Sequence, residues 1–132
     1  MKKIIIVTSF SFLVLNGNAQ TKQLDSLKTL LTNTTKPIER FNLIRNFLEL
    51  NLSYKGDNVD SAFCIELLQI AQKQKNDSLL AISYNWIGAD FAFTTGNIRG
   101  ALENFFNAIH SSGNATDKRR HRSLYFVNDS AQ

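Results

Sequence analysis

The sequence is poor in the residues that carry chemistry. It has one cysteine, Cys64, so no disulfide framework can form within the chain. Cys64 lies between Phe63 and Ile65 in a helical pattern with no base at a useful spacing, which reads as a small buried hydrophobe rather than a catalytic thiol. The two histidines, His110 and His121, make no His-x-x-x-His pair, and neither has carboxylates at i+4. There is no HExxH, no nucleophile elbow and no Gly-rich phosphate loop; Gly96 and Gly100 with Asn97 between them read as a turn. These absences argue against an enzyme, and no metal and no cofactor is expected. An undetected hydrolase has no nucleophile–base constellation to rest on.

Long apolar runs are also scarce. The one that exists is Ile4 to Leu15, behind Lys2 and Lys3 and ahead of Gly17-Asn18-Ala19. A positive start, a short apolar centre and small residues at −3 and −1 describe a secretory signal peptide, residues 1–19, cleaved after Ala19. The run is shorter than the roughly 20 residues a membrane span needs, and no cysteine follows the cleavage site to take a lipid. The expectation is an extracytoplasmic chain, periplasmic or secreted, with no stable membrane insertion once the signal is removed.

The chain carries a formal net charge of +4. Without Lys2 and Lys3, thirteen basic side chains stand against eleven acidic ones, and residues 20–116 hold nine of each. The excess therefore sits in Lys118-Arg119-Arg120-His121-Arg122. A run this short, without interleaved aromatics, reads as a solvated segment, and no nucleic-acid partner is expected.

What is present is helical periodicity. Leu24, Leu27 and Leu30-Leu31 space as a short amphipathic helix over 22–33 that Thr32 to Thr35 end. Pro37 suits the first turn of a second helix, with Ile38, Phe41, Ile44, Phe47-Leu48 and Leu52 as its buried stripe. Gly56-Asp57-Asn58 breaks it. Asp60-Ser61 starts a third, with Ala62, Glu66-Leu67 and Ile70-Ala71 along one face and Lys73 and Lys75 near its end. Asp77 reads as the N-cap of a fourth.

The stretch Leu79–Ile109 is the most ordered in pattern. Ala81, Tyr84, Ile87, Gly88 and Phe91 share one helix face, and Ala101, Leu102, Phe105, Ala108 and Ile109 share another beyond a Thr-Thr-Gly-Asn turn. Small residues (Gly88 on one helix, Ala101 and Ala108 on the other) fall where two helices approach closely. The pattern predicts a tight antiparallel hairpin.

At eight positions this stretch resembles the tetratricopeptide repeat: Tyr84, Ile87-Gly88 and Phe91, then Gly96, Ala101, Phe105 and Ala108. It departs from the family at Gly113, where a closing proline is usual, and by one extra residue between Phe91 and Gly96. Residues of the preceding hairpin recur 39 or 40 positions earlier, so 37–75 reads as a divergent copy of 77–113. There Leu48 stands where Gly is preferred and Asn51 where an aromatic is.

The resemblance implies an all-α fold of antiparallel helical hairpins stacked as a short right-handed solenoid over 20–113. Residues 114–132 then form a basic tail or an incomplete third repeat, with Leu124, Tyr125 and Val127 as a brief apolar stripe. No polar capping helix closes the stack. The reading favours an incomplete gene product over an open end covered by a partner.

Family members hold peptides or proteins on the concave face lined by the first helix of each hairpin. Here those positions are Asn42, Arg45, Asn46 and Glu49, then Ile82, Asn85, Trp86 and Ala89. Trp86 either anchors a partner there or packs against the neighbouring hairpin. Arg45 and Asn46 suit a carboxylate, but Glu49 opposes an anion, so no carboxylate clamp is expected. The implied function is protein–protein interaction with a peptide or protein partner, and self-association through the open end of the solenoid is a further option. The alternative is the extracytoplasmic sensor portion of a membrane-bound signalling protein, such as a histidine kinase or transcriptional regulator, cut short here.

Overall fold

The computed structural model describes the backbone of residues 2–55 and 59–129 and the side chains of 18–54 and 59–118. Among these residues the fold is all-α. Five helices follow in order: α1 (Lys2–Asn33), α2 (Pro37–Lys55), α3 (Ser61–Lys73), α4 (Asp77–Phe93) and α5 (Ile98–Asp129). They divide into two compact units, Met1–Gly56 and Asp57–Gln132. The division falls inside the segment whose spacing suggests a first hairpin over 37–75.

In the first unit α1 packs on α2. Pro37 opens α2, where its fixed φ suits a first turn and its missing N–H leaves no bond unmade. Leu24 and Leu31 of α1 are buried, as are Phe41, Ile44, Phe47 and Leu48 of α2. Ile38, expected in the buried stripe, is exposed, because it lies in the first turn beside the chain reversal. The Arg40 guanidinium closes the end of α1: its Nη1 donates to the carbonyls of Leu31 at 2.5 Å and Thr34 at 3.3 Å. Those are among the carbonyls a helix end leaves without partners.

In the second unit α4 is the central helix, packed against α3 and against α5. Asp60 caps α3 as its sequence suggested, accepting from the N–H groups of Ala62 at 3.1 Å and Phe63 at 3.3 Å. The buried face of α3 is Cys64, Leu67 and Ala71; Ala62, expected on it, is exposed in the first turn. At the far end Lys75 takes a left-handed φ of 48°, and the Asn76 N–H returns to the Ala71 carbonyl at 3.3 Å while that of Lys75 bonds Gln72 at 3.1 Å. This is a Schellman ending with lysine where glycine is usual.

Asn76, not Asp77, is the N-cap of α4: its Oδ1 accepts from Ser78 at 3.0 Å and Leu79 at 3.2 Å. Both residue types cap well, and the cap falls one residue earlier than the sequence reading placed it. Asp77 occupies the first turn and pairs with Lys118 of α5. Between α4 and α5 the chain turns at Gly96, φ 67°, a conformation glycine adopts without penalty. Asn97 then caps α5, accepting from the Gly100 N–H at 2.9 Å.

The α4–α5 hairpin is the tight contact its small residues predict. A Cβ placed on Gly88 would lie 2.6 Å from Cε1 and 2.7 Å from Cδ1 of Phe105, so the ring rests directly on the glycine backbone. Gly88 meets Phe105, and Asp77 meets Lys118. Positions rise along one helix as they fall along the other, so the two are antiparallel. Ala101 is buried, and Phe105 and Ala108 are half-buried. Leu102 and Ile109, expected on the same face, are exposed. They lie on the edge of the apolar arc that turns away from α4.

The helix also continues without a break through Gly113 and Asp117, where a new repeat was expected to begin. A helix-interior glycine costs only about 1 kcal/mol relative to alanine, which a helix of this length absorbs. The side chains of the basic run beyond Lys118, and those of Leu124, Tyr125 and Val127, lie outside the described residues, as do those of the apolar segment Ile4–Leu15. No helix among the described residues is long and apolar enough to cross a membrane.

Candidate functional site

The eight residues proposed for partner binding belong to two helices and are best taken one helix at a time. On α2 the i, i+3, i+4, i+7 spacing places Asn42, Arg45, Asn46 and Glu49 on one face. Asn42, Asn46 and Glu49 are exposed and Arg45 is half-buried. Arg45 Nε lies 3.7 Å from Glu49 Oε1, an ion pair without a hydrogen bond, and that Nε is itself shielded from solvent. The pairing sets a carboxylate against the one cation among these four residues.

Asn46 does more than face solvent. With Leu50 of α2 and Lys22, Gln23, Ser26 and Leu27 of α1 it lines an open groove of about 470 Å³. Leu27 and Leu50 supply apolar surface, and Lys22, Gln23, Ser26 and Asn46 supply polar atoms around it. An apolar floor with a few convergent polar groups is the composition of a site that takes a side chain or small ligand. The spacing of α2 identified Asn46. The α1 half of the groove was not identified: Leu27 lies on the apolar stripe of α1, but nothing in the sequence shows that Lys22, Gln23 and Ser26 beside it border an opening.

On α4 the four candidates separate. Asn85 is exposed, Ile82 and Ala89 are half-buried, and Trp86 is buried at 9% exposure. Trp86 is thus a core residue rather than an exposed anchor. Its carbonyl accepts from Cys64 Sγ at 3.6 Å, which ties α3 to α4. The Val59 N–H donates to Thr94 Oγ1 at 3.1 Å, and that hydroxyl donates back to the Val59 carbonyl at 3.4 Å.

Cys64 is a buried free thiol. Burial, followed by the carboxylates of Asp90 and Asp60, pushes its pKa up from 9.0 to about 12. A thiol that keeps its proton this strongly is a poor nucleophile and a poor ligand. Asp90 is 9% exposed, and its Oδ1 is buried without a hydrogen-bond partner. Sequence periodicity did not single it out, because an acid on a helix is expected to face solvent.

A second, polar cavity of about 430 Å³ is lined by the α3–α4 turn, Gln74 to Ser78, with Ala115 and Lys118 of α5. Two of its charged residues, Asp77 and Lys118, are paired with each other, and Lys75 adds a further cation to the lining.

Comparison with protein-family models, with curated proteins and with solved structures returned no match.

Proposed function

We propose that this chain is a non-enzymatic protein–protein interaction module built from tetratricopeptide-like helical hairpins, stacked as a short right-handed array that holds a peptide or protein partner. The observation that carries the reading is the α4–α5 hairpin. Two of the residues that resemble the repeat, Gly88 and Phe105, make its close contact, and a third, Gly96, sits in the left-handed turn. The partner side is supported by the exposed amides Asn42, Asn46 and Asn85 and by the groove beside Asn46. Export through the N-terminal segment belongs to the same proposal, and the mature protein then begins at Gln20.

The test is a random-peptide display selection on the purified chain, followed by titration of a selected peptide into ¹⁵N-labelled protein. The expected result is amide shifts on α2 around Asn42 and Asn46 and on α4 around Asn85, with weaker binding by Asn46→Ala and Asn85→Ala. Shifts confined to other surfaces, or a selection that yields no binder, would overturn the reading.

A further inference from the structure

Helix α5 carries two apolar faces, and only one of them is covered. Ala101, Phe105, Ala108, Ser111 and Ala115 form the buried or half-buried side, and Gly88 of α4 places Phe105 against α4. Beside them, turned away, run Ile98 at 62% exposure, Leu102 at 52%, Phe106 at 67% and Ile109 at 67%. Their spacing of four, four and three residues keeps them on one stripe about 17 Å long. Four large apolar side chains in a row, each more than half in water, are an exposed patch rather than scattered surface residues.

We propose that this stripe is the contact between two copies of the chain, packed antiparallel along α5. Three observations select a second copy. The first is symmetry. The stripe reads almost the same from either end, so a two-fold axis near Glu103 and Asn104 seats Ile98 opposite Ile109 of the second copy and Leu102 opposite its Phe106. An isologous interface requires this reciprocity.

The second is charge. The polar border of the stripe holds Arg99 and Glu103, which pair with each other at 3.2 Å, and then Asn107 and His110. It has no net charge that would repel an identical face, and none that would recruit a partner of opposite sign.

The third is area. Taking roughly 200 Å² for each fully exposed side chain, the four exposures amount to about 500 Å² per copy, so a pair buries at most about 1,000 Å². That is at the lower limit, roughly 1,000 Å², at which stable assemblies begin, so the dimer is reversible and forms at micromolar concentration or above. The interface is independent of the peptide-binding reading, which uses α2 and α4.

The test is sedimentation velocity on the purified chain, its N-terminus determined by mass spectrometry, from about 1 to 300 μM. The expected result is a mass that rises with concentration towards twice the monomer. Phe106→Lys moves the midpoint at least tenfold upward while leaving the circular dichroism spectrum unchanged, because the side chain it replaces touches mostly water. For direction, Ile98→Cys with Ile109→Cys forms a disulfide-linked dimer under mild oxidation. Ile98→Cys alone does not, because the two-fold holds the two copies of position 98 about 17 Å apart. Cys64 is buried and does not compete. A monomer at every concentration would overturn the proposal and leave the stripe to a helix of another protein. A dimer indifferent to Phe106→Lys, or cross-linking by Ile98→Cys alone, would overturn it as well.

Discussion

The α1–α2 pair and the α4–α5 pair solve the same packing problem in different ways. Both join antiparallel helices through a short turn. In α4–α5 a glycine lets an aromatic ring rest on the backbone of the facing helix, and the contact leaves no room between them. In α1–α2 the core is made of large side chains, with Phe41 and Ile44 fully buried, and the Arg40 guanidinium ties the reversal together. Large side chains hold helices farther apart than glycine does, and there the structure keeps an open groove beside Asn46 and Leu50. The tight pair closes on itself, whereas the looser pair keeps open surface between its helices.

The largest expected effect removes the looser pair's core. Phe41→Ala empties a site with 0% exposure and should cost about 3–5 kcal/mol, read from urea unfolding. A cost under about 1 kcal/mol would mean that α1 and α2 are held by the Arg40 contacts rather than by the side chains between them.

Next comes the glycine. Gly88→Leu cannot be accommodated without displacing the Phe105 ring, and the overpacking should cost about 1–3 kcal/mol or more. Gly88→Ala with Phe105→Ala is the control: the smaller ring position should relieve the alanine, so the double variant loses less than the two single losses together. Additive losses would show that the two residues do not share a contact. At the equivalent place 40 residues earlier stands Leu48, which is buried. The glycine-based contact therefore belongs to the α4–α5 pair, and position 48 buries a large side chain instead.

Much of this was legible in sequence because it is local. Pro37, Asp60, Gly96 and the apolar spacing of α2 each set a helix start, a turn or a face through their own backbone preferences. What was not legible depends on neighbours. The apolar arc of α5 spans about half its circumference, and periodicity cannot say which part α4 covers; hence Leu102 and Ile109 are exposed. Trp86 and Asp90 are buried because α4 is packed against two helices, which a one-face pattern does not anticipate. The repeat reading closes at Gly113, yet the helix passes through it.

A smaller effect separates two adjacent residues that sequence cannot rank. Asn76→Ala removes the side chain that accepts from Ser78 and Leu79 and should cost about 1 kcal/mol. Asp77→Ala removes an ion pair and a first-turn acid and should cost about half as much, fading in high salt. Thermal melts at low and high salt distinguish them; a larger loss from Asp77→Ala would return the cap to the position the sequence reading gave it.

The smallest effect at neutral pH is the buried thiol, and its sign is fixed. Folded Cys64 holds its proton up to about 12, whereas the unfolded chain releases it near 9.0. Between those values the folded state binds more protons than the unfolded state, so stability falls as pH rises through that window and is unaffected by this group below it. Cys64→Ala should therefore lose less stability than the parent chain on going from pH 9 to pH 11, whatever its cost at pH 7. Ellman's reagent should leave the folded thiol untouched at pH 8 and titrate it fully in urea. Rapid reaction in the folded state would mean that the α3–α4 contact opens readily. The second unit would then share the looseness assigned to the first, and the contrast between a closed pair and a more open one would fail.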